Sequence, residues 1–186
     1  MADRTGLEAV TVMTIGHGNR HADDFIALLV VHQVSLLVDV RRYPGSKRNP
    51  QFNAPALRDS TAAAGIDYRK GGHWFGGHRE LTGGEQTELL RTPAFRAYAA
   101  HMQTRTFREG LGWLRETAAE RRVALMCAET HPSHCHRSLI SDYLSVLGGR
   151  VMHIHADDAF EVHEPHAAAH WDGEHFSYTA SQFDLF

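Results

Sequence analysis

The segment VSLLVDV, from Val34 to Val40, restricts the possible folds of this chain more than any other part of the sequence. It is a nearly continuous apolar run, as expected of a parallel β-strand that other elements cover on both faces. Four further segments are candidate strands: residues 10–15, 66–69, 123–127 and 151–154. The strand pattern is weakest at residues 66–69. The chain therefore has five candidate strands.

Segments with apolar side chains at helical spacing alternate with these candidate strands. Some begin at an N-cap such as Asn53 or end at a glycine such as Gly148. The predicted helices cover about residues 22–32, 53–65, 92–104, 107–120 and 137–147. Strands that alternate with helices indicate βαβ units with right-handed crossovers. We therefore predict the α/β class, as a single domain with a mostly parallel sheet of about five strands flanked by helices.

The alternating pattern ends near residue 155. We predict an α/β domain over residues 1–155 and an acidic, histidine-rich C-terminal tail over residues 156–186. The tail contains seven acidic residues and no Lys or Arg, whereas residues 41–79 contain eight Lys or Arg and only two acids. The basic middle section suggests an anionic partner such as a phosphate or a nucleic acid, with a solvated surface as the alternative.

The composition excludes several classes of protein. With 42% hydrophobic and 22% charged residues in a chain of 186, it is that of one ordinary globular domain. No segment approaches the roughly 20 apolar residues that a membrane-spanning helix needs. The N-terminus lacks the basic region and apolar run of a secretory signal. Two cysteines do not make a disulfide framework, so we expect a cytoplasmic protein without a membrane segment.

Three candidate strands end in unusually polar loops. Ligands of open parallel sheets bind outside the carboxyl ends of the strands, so these loops should meet at one site. His17 and Asn19 follow the candidate strand at residues 10–15. The segment after residues 34–40 provides Asp39, Arg41, Arg42, Tyr43 and Ser46, and the segment after residues 123–127 provides Glu129, Cys135, His136 and Arg137.

Several stretches of the sequence resemble a known family. TIGHGN, LLVDVRRYPGSKRNPQFN, GIDY, ALMCAE, CHRSLISDYL and VMHI occur in this order between about residues 12 and 155. Together they resemble the bacterial and archaeal domain of unknown function numbered 488, and the pairing of DVR with CAE and CHR is specific. The resemblance supports the location of the site. It implies no reaction, because the family has no established function.

The residue types in these loops suit the binding of an anionic substrate. Arg41, Arg42 and Arg137 carry forked donors that match phosphate or carboxylate oxygens, and Ser46 would complete the cradle. Tyr43 could stack on a base. Alternatively, the arginines form a solvated patch.

Four residues are candidates for catalysis. Asp39, Glu129 or His136 could transfer protons. Alternatively, Asp39 could orient Arg41 or Arg42 or cap its loop, Glu129 could pair with an arginine, and His136 could have a structural hydrogen-bonding role. Cys135 is a candidate nucleophile, because the first turn of a helix lowers the pKa of a thiol. Cys127 ends a buried strand, where packing alone explains a small apolar residue.

The layout also resembles rhodanese, a sulfur-transfer domain, in which a strand, a cysteine loop and an arginine follow an Asp-Val-Arg strand end. Cys127 and Arg137 are ten residues apart, which is longer than the catalytic loops of rhodaneses and cysteine phosphatases. Sulfur or phosphate chemistry at a cysteine is therefore kept as an alternative.

Metal binding is suggested by fifteen histidines. Only His166 and His170 match the H-x₃₋₅-H spacing of zinc ligands, and no paired cysteines accompany them. We therefore predict no metal and no cofactor.

The C-terminus resembles the bacterial sliding-clamp-binding motif. Gln182 is followed by Leu185 and Phe186, which would fill an apolar pocket of the clamp while the glutamine binds at its rim. The alternative is a tail that folds back and buries these side chains on its own domain.

The sequence therefore leaves three functions open. The first is an enzyme that acts on a nucleic acid or a nucleotide, such as a hydrolase in DNA repair or base processing. In that case Tyr43, Phe52, Trp74 and Phe75 could stack on an extruded base. The second is a non-catalytic accessory protein that binds DNA or the sliding clamp. The third is rhodanese-like chemistry at a cysteine.

Overall fold

The computed structural model describes residues 10–80, 89–90, 92–155 and 159–179. Its main sheet contains β1 Thr11–Gly16, β2 Leu36–Asp39, β3 Asp67–Lys70, β4 Val123–Cys127, β5 Arg150–Ile154 and β6 Phe160–Val162. The strand order is β3-β2-β4-β1-β5-β6. Strands β1 to β5 are parallel, and β6 pairs antiparallel with β5 at the edge. The predicted α/β class and mostly parallel sheet are confirmed.

The described helices are α1 Ala22–Val31, α2 Ala54–Ala63, α3 Gly72–Phe75, α4 Pro93–Met102, α5 Arg105–Glu120 and α6 Arg137–Val146. Helices α4 and α5 begin at threonine N-caps, because the side chains of Thr92 and Thr104 accept hydrogen bonds from backbone amides three residues later. None of the helices in the described ranges is both long and apolar enough to cross a membrane.

The sheet separates two hydrophobic cores. Phe25 and Leu29 of α1 and Leu57 of α2 pack on one face. The other face is covered by α3 to α6, with Phe75, Phe107 and other apolar side chains in one cluster. Strands β1, β2 and β4 are almost fully buried between these layers, which explains their nearly continuous apolar sequences.

Strand number was underestimated. The five predicted strands form β1 to β5, but the sixth strand, β6, was not predicted, because it has only three residues and all of them are exposed. A separate antiparallel pair, β7 Ala169–Trp171 and β8 Phe176–Tyr178, also falls in the predicted tail. Phe176 is buried and stacks on Tyr143 of α6, with ring centroids 4.5 Å apart. The domain boundary at residue 155 remains a prediction.

Residues 71–84 contain six glycines in fourteen positions, a composition typical of a loop. The described part contains the one-turn helix α3, which packs on α5 and buries Phe75. Residues 81–84 lie outside the described residues.

The topology opens crevices on both sides of β4. The chain leaves β1 and β2 towards α1 and α2 on one face, whereas it leaves β4 towards α6 on the other. Ligands of open α/β sheets bind where the chain leaves two neighbouring strands towards opposite faces of the sheet. The carboxyl end of β4 is therefore the part of the fold best suited to a site.

Candidate functional site

A pocket of about 310 Å³ lies at the carboxyl end of β4, between residues 41–43 and residues 127–136. We call it the thiol pocket, because Cys127 and Cys135 form part of its wall. Of the predicted site residues, it brings together Arg41, Arg42, Tyr43, Glu129, Cys135 and His136.

The cysteines and His136 form a compact cluster on this wall. The two sulfur atoms and one ring nitrogen of His136 all lie within 4.8 Å of one another. Cys135 Sγ is 3.7 Å from His136 Nδ1 and accepts a hydrogen bond from the backbone amide of Arg137 at 3.5 Å. Both cysteines are buried, because Cys127 ends a central strand and Cys135 immediately precedes the first turn of α6.

The two thiols differ in acidity. Burial alone would raise the pKa of the Cys135 thiol, but hydrogen bonds from Cys127 and His136 and the charges of His136 and Arg137 outweigh it, so its pKa lies well below the ordinary value. The pKa of Cys127 lies well above the ordinary value, because Cys127 donates a hydrogen bond to Cys135 and is itself buried. The pKa values of the two thiols are therefore shifted in opposite directions, and Cys135 is the more acidic of the pair.

Arg41 reaches the edge of the pocket, but its guanidinium is occupied by protein groups. It forms a bidentate ion pair with Asp39, at 2.9 Å from Nε to Oδ1 and 2.7 Å from Nη2 to Oδ2. Nη2 also donates to the carbonyl oxygen of Phe52 at 2.7 Å. Asp39 is 1% exposed and also accepts the Tyr68 hydroxyl at 2.8 Å. Asp39 therefore holds Arg41 in place and does not line the pocket.

His17 supports Arg41 from the end of β1. Its Nδ1 bonds the carbonyl oxygen of Gly18 at 2.8 Å, and its Nε2 lies 3.2 Å from Arg41 Nη1. Arginine can only donate, so Nε2 must be the unprotonated nitrogen and the ring is neutral. Burial, the largest cause, lowers the pKa of His17 to about 4, which agrees with a neutral ring.

Arg137 is almost completely buried and lies behind the pocket wall. Its Nη2 donates to the backbone carbonyls of Glu129 and Thr130, and its Nη1 donates to Thr14 Oγ1 at 3.1 Å. The guanidinium thus fixes the loop between Cys127 and Cys135 from inside.

A chain of hydrogen bonds continues from Thr14 into the C-terminal part of the molecule. Thr14 Oγ1 lies 2.7 Å from His153 Nδ1, and His153 Nε2 lies 2.9 Å from His163 Nδ1. His163 Nε2 lies 2.9 Å from Asp142 Oδ1. We call this series, from Arg137 to Asp142, the Arg137–Asp142 chain.

When both rings are neutral, one direction of donation fits this chain. Arg137 donates at one end, an ionised Asp142 accepts at the other, and each member donates to the next. Burial, the largest cause, and the nearby charge of Arg137 lower the pKa of His153 to about 3, consistent with a neutral ring. Asp142 also accepts the Tyr178 hydroxyl at 2.7 Å.

A cavity of about 450 Å³ borders this chain at His153, His163 and Asp142. The polar atoms of these three residues already bond one another, whereas the thiol pocket brings together six of the predicted site residues. We therefore place the candidate site in the thiol pocket.

Several predicted site residues lie elsewhere. Asn19 is exposed and does not line the pocket. Ser46 accepts hydrogen bonds from the backbone amides of Arg48 and Asn49 and so stabilises its own loop. The predicted anion cradle is not assembled, because Arg41 and Arg137 are buried in separate internal networks. Gln182, Leu185 and Phe186 lie outside the described residues.

The aromatic residues predicted to stack on a base also separate. Tyr43 is 70% exposed on the pocket, whereas Phe52 and Phe75 are fully buried. Trp74 stacks on Trp113, with ring centroids 4.9 Å apart. Only Tyr43, of these four, is available to a ligand of the pocket.

The Arg137–Asp142 chain was not predicted. Its contacts join residues up to 139 positions apart, such as Thr14 and His153, and no local pattern marks such pairs. The sequence contained one signal, namely that His153 and His155 are two residues apart and so lie on the same face of the last predicted strand. Tyr68, which completes the environment of Asp39, was missed for the same reason.

Fold and site define an α/β domain with a buried thiol pair at a strand-end pocket. The chain belongs to the family described as "Domain of unknown function DUF488", which it matches over residues 21–144. The match includes both loops of the thiol pocket and most of α6. A search of curated proteins found no match, and a search of solved structures found none either.

Proposed function

We propose that this protein is an enzyme that hydrolyses a bond in a nucleotide or in an exposed nucleotide of a nucleic acid, with the reaction in the thiol pocket. The observation that supports this most is the meeting of a cation, an exposed aromatic ring and a carboxylate around one pocket at the carboxyl end of β4. These groups are Arg42, Tyr43 and Glu129.

Arg42 and Tyr43 provide a binding edge for such a substrate. Both are exposed, and the Arg42 guanidinium lies 5.7 Å from the centre of the Tyr43 ring while its Nε donates to the Tyr43 hydroxyl at 3.1 Å. His78 lies beyond Tyr43, with ring centroids 6.4 Å apart. A guanidinium suits a phosphate, and an exposed ring suits a base.

Glu129 is the proton-transfer group in this proposal. It is exposed, lines the pocket and follows the carboxyl end of β4 by two residues. In hydrolysis, the oxygen of water forms a bond to carbon or phosphorus, Glu129 accepts the water proton, and the leaving group takes up that proton as its bond breaks. Asp39, His17, Arg41 and Arg137 act as positioning residues, since each is buried and bonded to protein partners.

A test compares Glu129→Gln with Glu109→Gln. Both glutamates are exposed, but Glu109 lies on α5 in an i,i+4 pair with Arg105. Against a panel of nucleotides and of oligonucleotides with damaged bases, we expect Glu129→Gln to lower turnover by about 10²- to 10⁴-fold and Glu109→Gln to have little effect. Equal turnover in both variants would remove Glu129 from the mechanism.

A second candidate is covalent chemistry at Cys135, including rhodanese-like sulfur transfer or phosphate chemistry. The observation in its favour is the position of Cys135 just before α6, where the backbone amide of Arg137 donates to its sulfur atom at 3.5 Å. Alkylation with iodoacetamide near neutral pH tests it, with Cys135→Ser as the variant and Cys127→Ser as the control. Slow labelling of both cysteines in the folded protein would end this candidate.

The C-terminal motif supports a further proposal, namely that the bacterial sliding clamp is a partner. This proposal depends on the sequence of Gln182, Leu185 and Phe186 alone. Deletion of residues 182–186 should abolish association with a purified clamp and leave the thermal unfolding of the domain unchanged. Association with the clamp would bring the thiol pocket to DNA. This holds whether the protein is an enzyme or a non-catalytic accessory protein.

A further inference from the structure

The donor atoms of Cys127, Cys135 and His136 have the spacing of a metal site. Zinc binds thiolate sulfur at about 2.3 Å and imidazole nitrogen at about 2.0–2.1 Å, so sulfur and nitrogen ligands of a tetrahedral zinc ion are about 3.6 Å apart. Cys135 Sγ and His136 Nδ1 are 3.7 Å apart, and all three donor atoms fall within 4.8 Å. Small side-chain shifts would therefore bring the three donors around one ion.

Cys135 Sγ also has a backbone donor two residues later in the chain, because the amide of Arg137 donates to it at 3.5 Å. This donor stabilises negative charge on the sulfur atom of Cys135. Two thiolates side by side in a buried site repel each other, however, and only a cation between them makes that arrangement favourable.

We propose that Cys127, Cys135 and His136 bind a zinc ion whose fourth coordination position opens to the thiol pocket. Two sulfur donors and one imidazole select a borderline-soft ion and disfavour magnesium and calcium, which prefer oxygen ligands. Three protein ligands with an open position are typical of catalytic zinc sites. The sequence did not predict this site, because the eight-residue step from Cys127 to Cys135 lies outside the usual spacing of paired zinc ligands.

The use of this ion in catalysis rests on the proposed hydrolase function, whereas its binding does not. A water molecule on the open position would face the pocket that Glu129 lines. Zinc lowers the pKa of a bound water to about 7, which supplies hydroxide at neutral pH. Cys135 and His136 are then ligands, so the covalent reaction at Cys135 and the proposed metal site exclude each other.

Metal content tests the site without any substrate. The full chain, purified without a histidine tag and dialysed, should retain about one zinc per molecule by elemental analysis. Titration of the metal-free protein with Co²⁺ should give the intense near-ultraviolet band of thiolate-to-cobalt charge transfer. Cys135→Ser and His136→Asn should lose zinc and this band, whereas His170→Asn, which removes an exposed histidine of β7, should retain both.

Thiol protection provides a measurement that needs no variant. Zinc should block iodoacetamide at the cysteines of the wild-type protein, and a chelator should restore labelling. Zinc content that survives Cys135→Ser, or a cobalt spectrum without a thiolate band, would overturn the proposal and indicate adventitious binding by the histidine-rich segment. Zinc at the cluster without turnover would refute the hydrolase function and leave the metal site standing. Full turnover by a protein that binds no zinc would refute the metal site and leave the hydrolase function standing.

Discussion

The two buried arginines on either side of β4 are stabilised in different ways. Arg41 has its counter-charge two residues away, in a bidentate pair with Asp39. Arg137 donates to Thr14 and to two backbone carbonyls, and the carboxylate of its hydrogen-bonded network is Asp142, reached through His153 and His163. One arginine therefore has a local ion pair, and the other has a chain of oriented neutral groups that ends in a charge.

This difference indicates separate tasks for the two regions. The Asp39–Arg41 pair shapes the loop after β2, since Arg41 also bonds the carbonyl oxygen of Phe52. The Arg137–Asp142 chain ties the loop after β4 to the C-terminal strands, since Asp142 binds Tyr178 of β8. The thiol pocket lies between these loops, so its shape depends on both regions.

Loss of Asp39 should have the largest effect on stability, because the charge of Arg41 would be left buried without its direct partner. We expect Asp39→Ala to lower the free energy of unfolding by about 3–5 kcal/mol in urea denaturation. The matched control is Asp67→Ala, which breaks an exposed ion pair with Arg121 and should cost no more than about 1 kcal/mol. Similar losses in the two variants would show that Arg41 does not depend on Asp39.

The same contrast explains how much the sequence could predict. The spacing of Asp39 and Arg41 at the end of an apolar strand is a local pattern, and it located both residues and the edge of the site. It left open whether Asp39 orients an arginine, acts as a base or caps a loop, because the choice between binding a ligand and binding a neighbour depends on burial. For the same reason, Cys135 was noticed as a helix-start cysteine, but its contact with Cys127 was not predicted.

The other network depends on contacts that only the tertiary structure forms. His153 lies on β5 and His163 directly follows β6, which pairs with β5, and Thr14 reaches His153 through the pairing of β1 with β5. Sequence patterns placed β1 and β5 but not β6, and residues 156–186 were predicted to be a tail. The partner residues of Arg137 therefore could not be inferred.

The second prediction concerns whether the Arg137–Asp142 chain acts as one unit. Asp142→Asn removes the terminal charge with little change in shape, and Thr14→Val removes the first hydroxyl. Each should lower the free energy of unfolding by about 1–3 kcal/mol, less than Asp39→Ala. Because the hydrogen bonds polarise one another, the double variant should depart from the sum of the single losses by about 0.5–3 kcal/mol.

Denaturation of the two single variants and the double variant measures this coupling. Pairing Thr14→Val with Asp67→Ala, at an exposed site on β3, gives the control cycle, which should be additive. Additivity in the first cycle as well would mean that Thr14 and Asp142 stabilise their neighbours separately. It would contradict the statement that Arg137 is stabilised by a coupled chain that ends at Asp142.

The smallest expected effect is a change in the dependence of stability on pH. The pKa of His153 is lowered to about 3, so the folded protein excludes a proton that the unfolded chain binds near pH 6.5. The unfolded state therefore gains protons as the pH falls below about 6.5, and stability decreases progressively towards pH 3. His17, with a pKa lowered to about 4, contributes in the same direction beside Arg41.

Substitution of His153 separates these two contributions. The slope of unfolding free energy against pH measures how many more protons the unfolded state binds than the folded state. Between about pH 7 and pH 5, His153→Gln should reduce this slope by the equivalent of up to one proton, because glutamine does not titrate. His170→Gln removes an exposed histidine and should leave the slope unchanged. If His153→Gln also left the slope unchanged, His153 would accept a proton in the folded state. A protonated His153 could no longer accept from Thr14, so Arg137 would have to be compensated by a route other than the chain to Asp142.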